Sequence, residues 1–305
     1  MKDFLTIDQL APEEIREVHA LAREIKASPE AHRSALAGKS VVLLFEKPSL
    51  RTRVSFDIGA QRLGANTMYF DHAAQRIGER EPIRDYAKNL ERFVDCIVAR
   101  VFDHGALEQL AGHARIPVVN ALSDRAHPCQ ALADYLTLLE RFGRLEGLRV
   151  CYVGDGNNVC RSLILGAALL GVELTVVAPK GYEPGGDVLA RARELGREPV
   201  VTNDVAAAER HHAVYSDTWV SMGHAEEHAT RVAAFSGFTV TGEVMRLAGK
   251  GLGGEPVFMH CLPAHRGEEV AAEVIDGPLS IVYDQAENRM HAQNALLVRL
   301  LGERP

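Results

Sequence analysis

RVCYVGDGNNVCRSLILGAALLGVELTVVAP, residues 149–179, reads as a strand, a glycine turn, a helix and a second strand. Apolar runs at 149–154 and 173–178 flank a segment, 158–170, whose apolar residues recur at helical spacing. Such a βαβ unit needs a parallel sheet to bury its two strands. Its G-x-G turn looks like a dinucleotide fingerprint, but two parts are missing. Val159 stands where the third glycine belongs, and the second strand runs into Ala178-Pro179 without an acid to bind a ribose. A nicotinamide cofactor is therefore not expected. What remains is a pair of amides, Asn157 and Asn158, at a strand's carboxyl end, where open α/β sheets bind ligands.

The same alternation extends both ways along the chain. Residues 12–27 predict a helix with Pro12 in its first turn and Ile15, Val18, Ala22 and Ile25 on one face. A strand at 40–45, a helix at 51–63 and a short strand at 67–70 follow. The polar stretch 71–81 reads as an exposed loop, and Pro82 opens a helix to about residue 93. Apolar runs at 96–101 and 116–121 predict buried strands. Pro128 starts a helix with Leu132, Tyr135, Leu136 and Leu139 facing inward. After Gly143 the pattern restarts with the βαβ unit. Further strands are expected at 213–217 and 256–262, with a last one near 281–284 and a helical tail from Glu287. The fold class is therefore α/β, as two doubly wound domains with parallel sheets, 1–146 and 147–286.

Composition narrows the functions. At 305 residues the chain is long enough for two domains. A net charge of -7 argues against a nucleic-acid partner, which usually meets a basic surface. No apolar run is long enough to span a bilayer, so no membrane partner is expected. The opening residues MKDFLTIDQLAPEEIREV carry acids where a signal peptide would need an apolar core. The five cysteines show no C-x-x-C pairing. The simplest reading is a cytoplasmic protein in a reducing compartment, without structural zinc.

Six clusters at predicted strand ends or helix starts can meet a ligand. In PSLRTR, Ser49 is placed to cap a helix whose first-turn amides favour an anion, and Arg51 and Arg53 add planar forks for phosphate oxygens. In HPCQ, His127 can donate to a carbonyl or phosphate oxygen, and Gln130 can donate and accept. Arg100 ends an apolar strand, where charges seldom sit unpaired. Asn157 and Asn158 form the fourth cluster. Asp217, with Ser221 and Met222 beyond it, can hold an amino-acid head group. Cys261, beside a proline turn, suits a nucleophile, a base or plain packing; His260 would point to the opposite face of the strand. Each alone also resembles an ordinary cap, turn or core ion pair. One cleft between two domains would collect them all.

Taken together, the set resembles the aspartate/ornithine carbamoyltransferase family. S-x-R-T-R (Ser49–Arg53) and H-P-x-Q (His127–Gln130) are similar to its carbamoyl-phosphate signature. The D-x-x-x-S-M-G of Asp217–Gly223 and the H-C-L-P of His260–Pro263 resemble its ornithine branch in particular. The resemblance runs from the first helix to AENR at 286–289 and implies a carbamoyl-phosphate domain followed by an L-ornithine domain. The last helix, 287–305, would return to the first domain. It implies a homotrimer or a multiple of one, with sites at subunit borders, and no metal or organic cofactor. By carry-over, Ser49, Leu50, Arg51 and Thr52 cradle the phosphate. Arg100, His127 and Gln130 reach the carbamoyl group, and Arg100 touches the phosphate too. Asn158, Asp217, Ser221 and Met222 hold the amino acid. Cys261 and Leu262 lie over both substrates, with Arg289 near the carbonyl oxygen. Arg76 matches a position that reaches into the neighbour's site.

Two positions depart from the ornithine branch. Leu50 replaces a threonine, so a hydroxyl is lost while the backbone amide stays; position 76 is more often Gln or His. N-acylated ornithines are therefore the nearest rival acceptors, while the free α-amino group is a natural partner for Asp217. The implied chemistry is attack by a neutral δ-amine on an already activated carbamoyl group. Arg100, His127 and Arg289 would stabilise the oxyanion. Cys261 would orient the amine, with base catalysis open.

Overall fold

The computed structural model describes residues 2–74, 76–220 and 228–302. It divides into two compact units: unit 1 is Met1–Leu136 with Glu287–Pro305, and unit 2 is Thr137–Ala286. Unit 1 runs α1 (Pro12–Ala27), β1 (Ser40–Phe45), α2 (Leu50–Arg62), β2 (Asn66–Asp71), α3 (Ile83–Leu90), β3 (Cys96–Arg100), α4 (His104–His113), β4 (Val118–Leu122) and into α5 (Pro128–Phe142). Unit 2 continues with β5 (Arg149–Val153), α6 (Asn158–Leu170), β6 (Glu173–Val177), α7 (Gly186–Glu194), β7 (Val200–Thr202), β8 (Ala213–Ser216), α8 (His228–Ala234), α9 (Gly242–Gly249), β9 (Val257–His260) and α10 (Ala272–Ile275). The last helix, α11 (Val282–Leu301), crosses into unit 1 at Glu287.

Both sheets are wholly parallel, ordered β2-β1-β3-β4 and β7-β6-β5-β8-β9. Every residue of β3, β8 and β9 is buried, as are all but the first of β1 and β5. Successive strand residues point to opposite faces, so helices must cover both. The edge strand β2 is mostly exposed, and no residue of β2 or of the edge strand β7 is buried.

The order of the strands places the sites. In unit 1 the chain starts at β1, steps outward to β2, then returns to the other side of β1 for β3 and β4. In unit 2 it starts at β5, steps to β6 and β7, then returns beside β5 for β8 and β9. Each reversal leaves a crevice at the carboxyl ends of two neighbouring strands, where their outgoing loops diverge. Register puts Phe45 beside Arg100 in the first sheet and Val153 beside Ser216 in the second. The loops leaving those four residues carry most of the motif residues.

The strand expected near 281–284 is not one. Phe258 and Ser280 form an isolated bridge, the Ile281 amide donates to the Phe258 carbonyl, and the chain then turns into α11 at Val282. Ile-Val-Tyr favours a strand locally, but Asp284 sits in the first helical turn, and Gln285 accepts from the His260 amide at 2.9 Å. Tertiary docking of the helix start overrides the local preference. The helix expected to reach about 93 ends at Leu90, with Pro82 as its cap. None of the five cysteines forms a disulfide. No described helix is long and apolar enough to cross a membrane.

Candidate active site

In unit 1, β1 ends in Phe45 and the chain passes through Glu46, Lys47 and Pro48 to Ser49. Ser49 caps α2: its Oγ accepts from the Thr52 amide at 3.4 Å and donates to Thr52 Oγ1 at 3.0 Å. The first-turn amides of α2, Leu50 and Arg51 among them, lie outside the helix's own ladder and present partial positive charge. Leu50 turns its side chain to solvent, 75% exposed, so backbone is what it offers this site.

Arg100 and Arg289 are nearly fully buried, as are His127, Gln130 and Thr52. Arg289, from α11, donates to Thr52 Oγ1 at 2.8 Å and so ties the last helix to the start of α2. Burial pushes His127 well below the ordinary imidazole range, and the Arg289 and Arg100 guanidiniums push it further down. At neutral pH His127 is therefore an uncharged imidazole among cations, able to donate without adding a third charge. Its carbonyl begins the α5 ladder by accepting from Gln130 and Ala131. Gln130 Nε2 donates to Asp134 at 2.8 Å, while its buried Oε1 makes no hydrogen bond among the described residues.

Two further arginines rest on aromatic rings. Arg53 places its guanidinium 3.8 Å over the Tyr69 ring and serves packing. Arg76 lies 4.5 Å over the Phe102 ring of its own chain. Buried Glu46 stitches the surrounding loops, accepting from the Ile77 and Phe102 amides at 2.8 Å each. Sequence reasoning missed Lys47, which precedes Pro48 just past the end of β1. Its Nζ lies 4.0 Å over the same Phe102 ring that Arg76 contacts. Burial lowers its pKa, and nearby Arg100 lowers it further. The only signal for it was a cation beside a strand's carboxyl end.

In unit 2, β5 ends at Val153 and β8 at Ser216, and Asp217 follows at once. Asp217 is buried and accepts three hydrogen bonds. Its Oδ2 accepts from Asn157 Nδ2 at 2.7 Å; its Oδ1 accepts from the Thr218 amide at 2.8 Å and from Cys261 Sγ at 2.9 Å. Asn157 works twice, since its Oδ1 also caps α6 through the Val159 and Cys160 amides. The sequence singled out Asn157 without giving it this second task. Asn158 is half-buried at the first position of α6. Ser221 and Met222 lie outside the described residues.

The loop after β9 is held firmly. Leu262 has φ of +59°, a left-handed conformation that costs a leucine energy, and its amide donates to His260 Nδ1 at 2.8 Å. That assigns the His260 proton to Nε2, which faces buried Glu269 at 3.3 Å. His260 thus orients the turn that presents Cys261. Asp217, His260 and Cys261 place ligand-type atoms within 4.8 Å of one another. A metal would have to displace the Cys261 proton, which the thiol donates to Asp217. Asp155 pairs with Arg231 at 2.7 Å, and Arg231 donates to the Trp219 carbonyl at 2.9 Å, anchoring the chain two residues past Asp217.

These features define a class: a two-unit parallel α/β protein with buried guanidiniums beside a capped helix start in one unit and a hydrogen-bonded carboxylate–thiol pair in the other. The family models for aspartate/ornithine carbamoyltransferase match both units. The carbamoyl-P binding domain matches residues 2–140, and the Asp/Orn binding domain matches residues 146–300. The chain belongs to the aspartate/ornithine carbamoyltransferase family. It is 50% identical over 306 residues to ornithine carbamoyltransferase of Shewanella oneidensis, covering 99% of this chain and 100% of the relative. A crystal structure of ornithine carbamoyltransferase from Thermus thermophilus is 49% identical, with a TM-score of 0.89 over 99% of both chains. The ornithine carbamoyltransferase from Pyrococcus furiosus is 41% identical, with a TM-score of 0.94 over 100% of this chain and 98% of that one.

Proposed function

We propose that the chain is an ornithine carbamoyltransferase, which moves the carbamoyl group of carbamoyl phosphate to the δ-amine of L-ornithine and releases L-citrulline and phosphate. The observation that carries this reading is the buried group of Arg100, Arg289 and neutral His127 around the capped start of α2. Full-length relatives named for this activity support it. The domains are 1–146, with 287–305, for carbamoyl phosphate, and 147–286 for ornithine.

Ser49, Leu50, Arg51 and Thr52 take the phosphate, the first-turn amides of α2 supplying aimed donors. Arg100 spans phosphate and carbamoyl group, and His127, Gln130 and Arg289 face the carbamoyl end. Asn158, Asp217, Ser221 and Met222 hold ornithine, and Cys261 and Leu262 lie over both substrates. Asp217 is the counter-ion for the α-ammonium. An amine with an ordinary pKa of ~10.4 must shed its proton to attack, and neighbouring guanidiniums favour the neutral form. Attack on the carbonyl carbon gives a tetrahedral oxyanion, which Arg100, His127 and Arg289 stabilise as preorganised donors. The C–O bond to phosphate then breaks, and the leaving phosphate carries away the amine's proton. Cys261 positions the amine through its bond to Asp217.

The active assembly is a cytoplasmic homotrimer or a multiple of trimers, with Arg76 reaching a neighbour's site. Exposed Leu50, Val54 and Ile58 along α2, with Met68 and Phe70 on the edge strand, supply an apolar surface suited to a second copy. The test of function is direct. The protein is given carbamoyl phosphate with ornithine, N-acetylornithine, putrescine or aspartate, and ureido products are measured. Citrulline from ornithine is expected to dominate; a preferred product from any other amine overturns the assignment.

A further inference from the structure

Lys47 sits at the carboxyl end of β1, two residues before the Ser49 cap, and the mechanism above gives it no task. The sequence has seven lysines, Lys2, Lys26, Lys39, Lys47, Lys88, Lys180 and Lys250. Lys2, Lys88 and Lys250 face carboxylates of Asp3, Glu91 and Glu209 at 3.1–3.4 Å, and Lys26 donates to Asn288 at 2.8 Å. Lys47 is different. It is half-buried, makes no ion pair among the described residues, and rests its Nζ on the Phe102 ring beside the Arg76 guanidinium.

We propose that Lys47 is a carbamoylation site, modified by carbamoyl phosphate bound in unit 1 when no acceptor amine is present. The inference rests on the proposed function, because it uses that reaction's electrophile. Two observations carry it: a half-buried amine held over the Phe102 ring with no ion-paired carboxylate among the described residues, and its place on the loop joining β1 to the start of α2. Burial and then the Arg100 guanidinium favour the uncharged amine, with Arg76 adding to them against Asp124 and Glu46. An uncharged ε-amine is chemically the same nucleophile as a δ-amine.

The step balances without a further reactant. The Nζ lone pair forms a bond to the carbonyl carbon, and the carbon–oxygen bond to phosphate breaks. Phosphate leaves with that electron pair and takes up the proton lost by nitrogen. The product is a neutral ureido side chain, so a cation is removed beside the anion pocket. Affinity for carbamoyl phosphate should then fall, making the modification self-limiting.

The test incubates the full-length protein with carbamoyl phosphate alone and measures the mass of one added carbamoyl group at each lysine. Parallel arms use potassium cyanate, into which carbamoyl phosphate decays, and carbamoyl phosphate with excess inorganic phosphate. Lys47 is expected to be modified several-fold more than any other lysine, more at higher pH as the amine loses its proton, and less when phosphate competes. Two results overturn the inference: modification that follows exposure, or equal selectivity with cyanate. An unmodified Lys47 in a preparation that converts ornithine to citrulline removes this inference and leaves the proposed function standing. A preparation that makes no citrulline removes both.

Discussion

The crevices of the two units are the same in topology and opposite in charge. Each lies where a central strand, β1 or β5, has neighbours reached by chain segments leaving in opposite directions. In unit 1 the loops there deliver Lys47, Arg100 and the capped start of α2, with neutral His127 and Arg289 from other elements. In unit 2 they deliver Asn157 and Asp217, with Cys261 from the loop after β9. Topology chooses the place; four or five side chains choose the ligand's sign. A doubly wound sheet alone would therefore predict neither substrate.

The sharpest way to break this comparison is to remove a charge from each side. Arg100→Ala takes away about two charge-assisted bonds worth ~1.5–3 kcal/mol each, so kcat/KM should fall on the order of 10³-fold. Steady-state kinetics check this, with circular dichroism to confirm the fold. Asp217→Asn removes the counter-ion from the other side. The KM for ornithine should rise about 30- to 100-fold, as expected for one charge-assisted bond, while that for carbamoyl phosphate changes little. Equal losses for both substrates would dissolve the distinction between the units.

A smaller effect comes from His127. Its folded pKa is depressed by burial and by two guanidiniums, whereas in the unfolded chain it titrates near ~6.5. Its contribution to stability is complete above that value and is lost as pH falls towards the folded pKa, because the unfolded state takes up the proton first. His127→Asn should flatten the decline of unfolding free energy below pH ~6.5 by at most about 1.4 kcal/mol per pH unit, read from denaturant titrations. The smallest change is expected from Arg53→Ala. That guanidinium lies on Tyr69, so the KM for carbamoyl phosphate should move less than about threefold. A loss matching that of Arg100→Ala would return Arg53 to the pocket.

Much of this was legible in the sequence. The 149–179 stretch carries two apolar runs, a glycine turn and a helical period, and both strands and the helix lie where the pattern puts them. Ser49 as a cap, and Asp217 and Cys261 at strand ends, follow from residue type and position. Other features depend on chain segments far apart in sequence. Residues 281–284 look strand-like, and only the docking of Gln285 on His260 explains the helix. Arg53 and Arg51 look alike in a motif, and the Tyr69 ring distinguishes Arg53. Edge strand β7 is only three residues long and helix α7 is largely exposed, so neither carries enough apolar patterning to stand out. The double duty of Asn157 needs β5 and β8 to be neighbours, which no local pattern states.

The central claim is that an oxyanion dianion binds among the unit 1 cations while an amino acid binds at Asp217 in unit 2. A crystal structure with phosphonoacetyl-L-ornithine, which joins the two ligand types in one molecule, tests it most directly. The phosphonate is predicted against the Ser49–Thr52 turn and Arg100, with the amino-acid end against Asn158 and Asp217. A phosphonate bound away from Arg51, Arg100 and His127 would contradict the account.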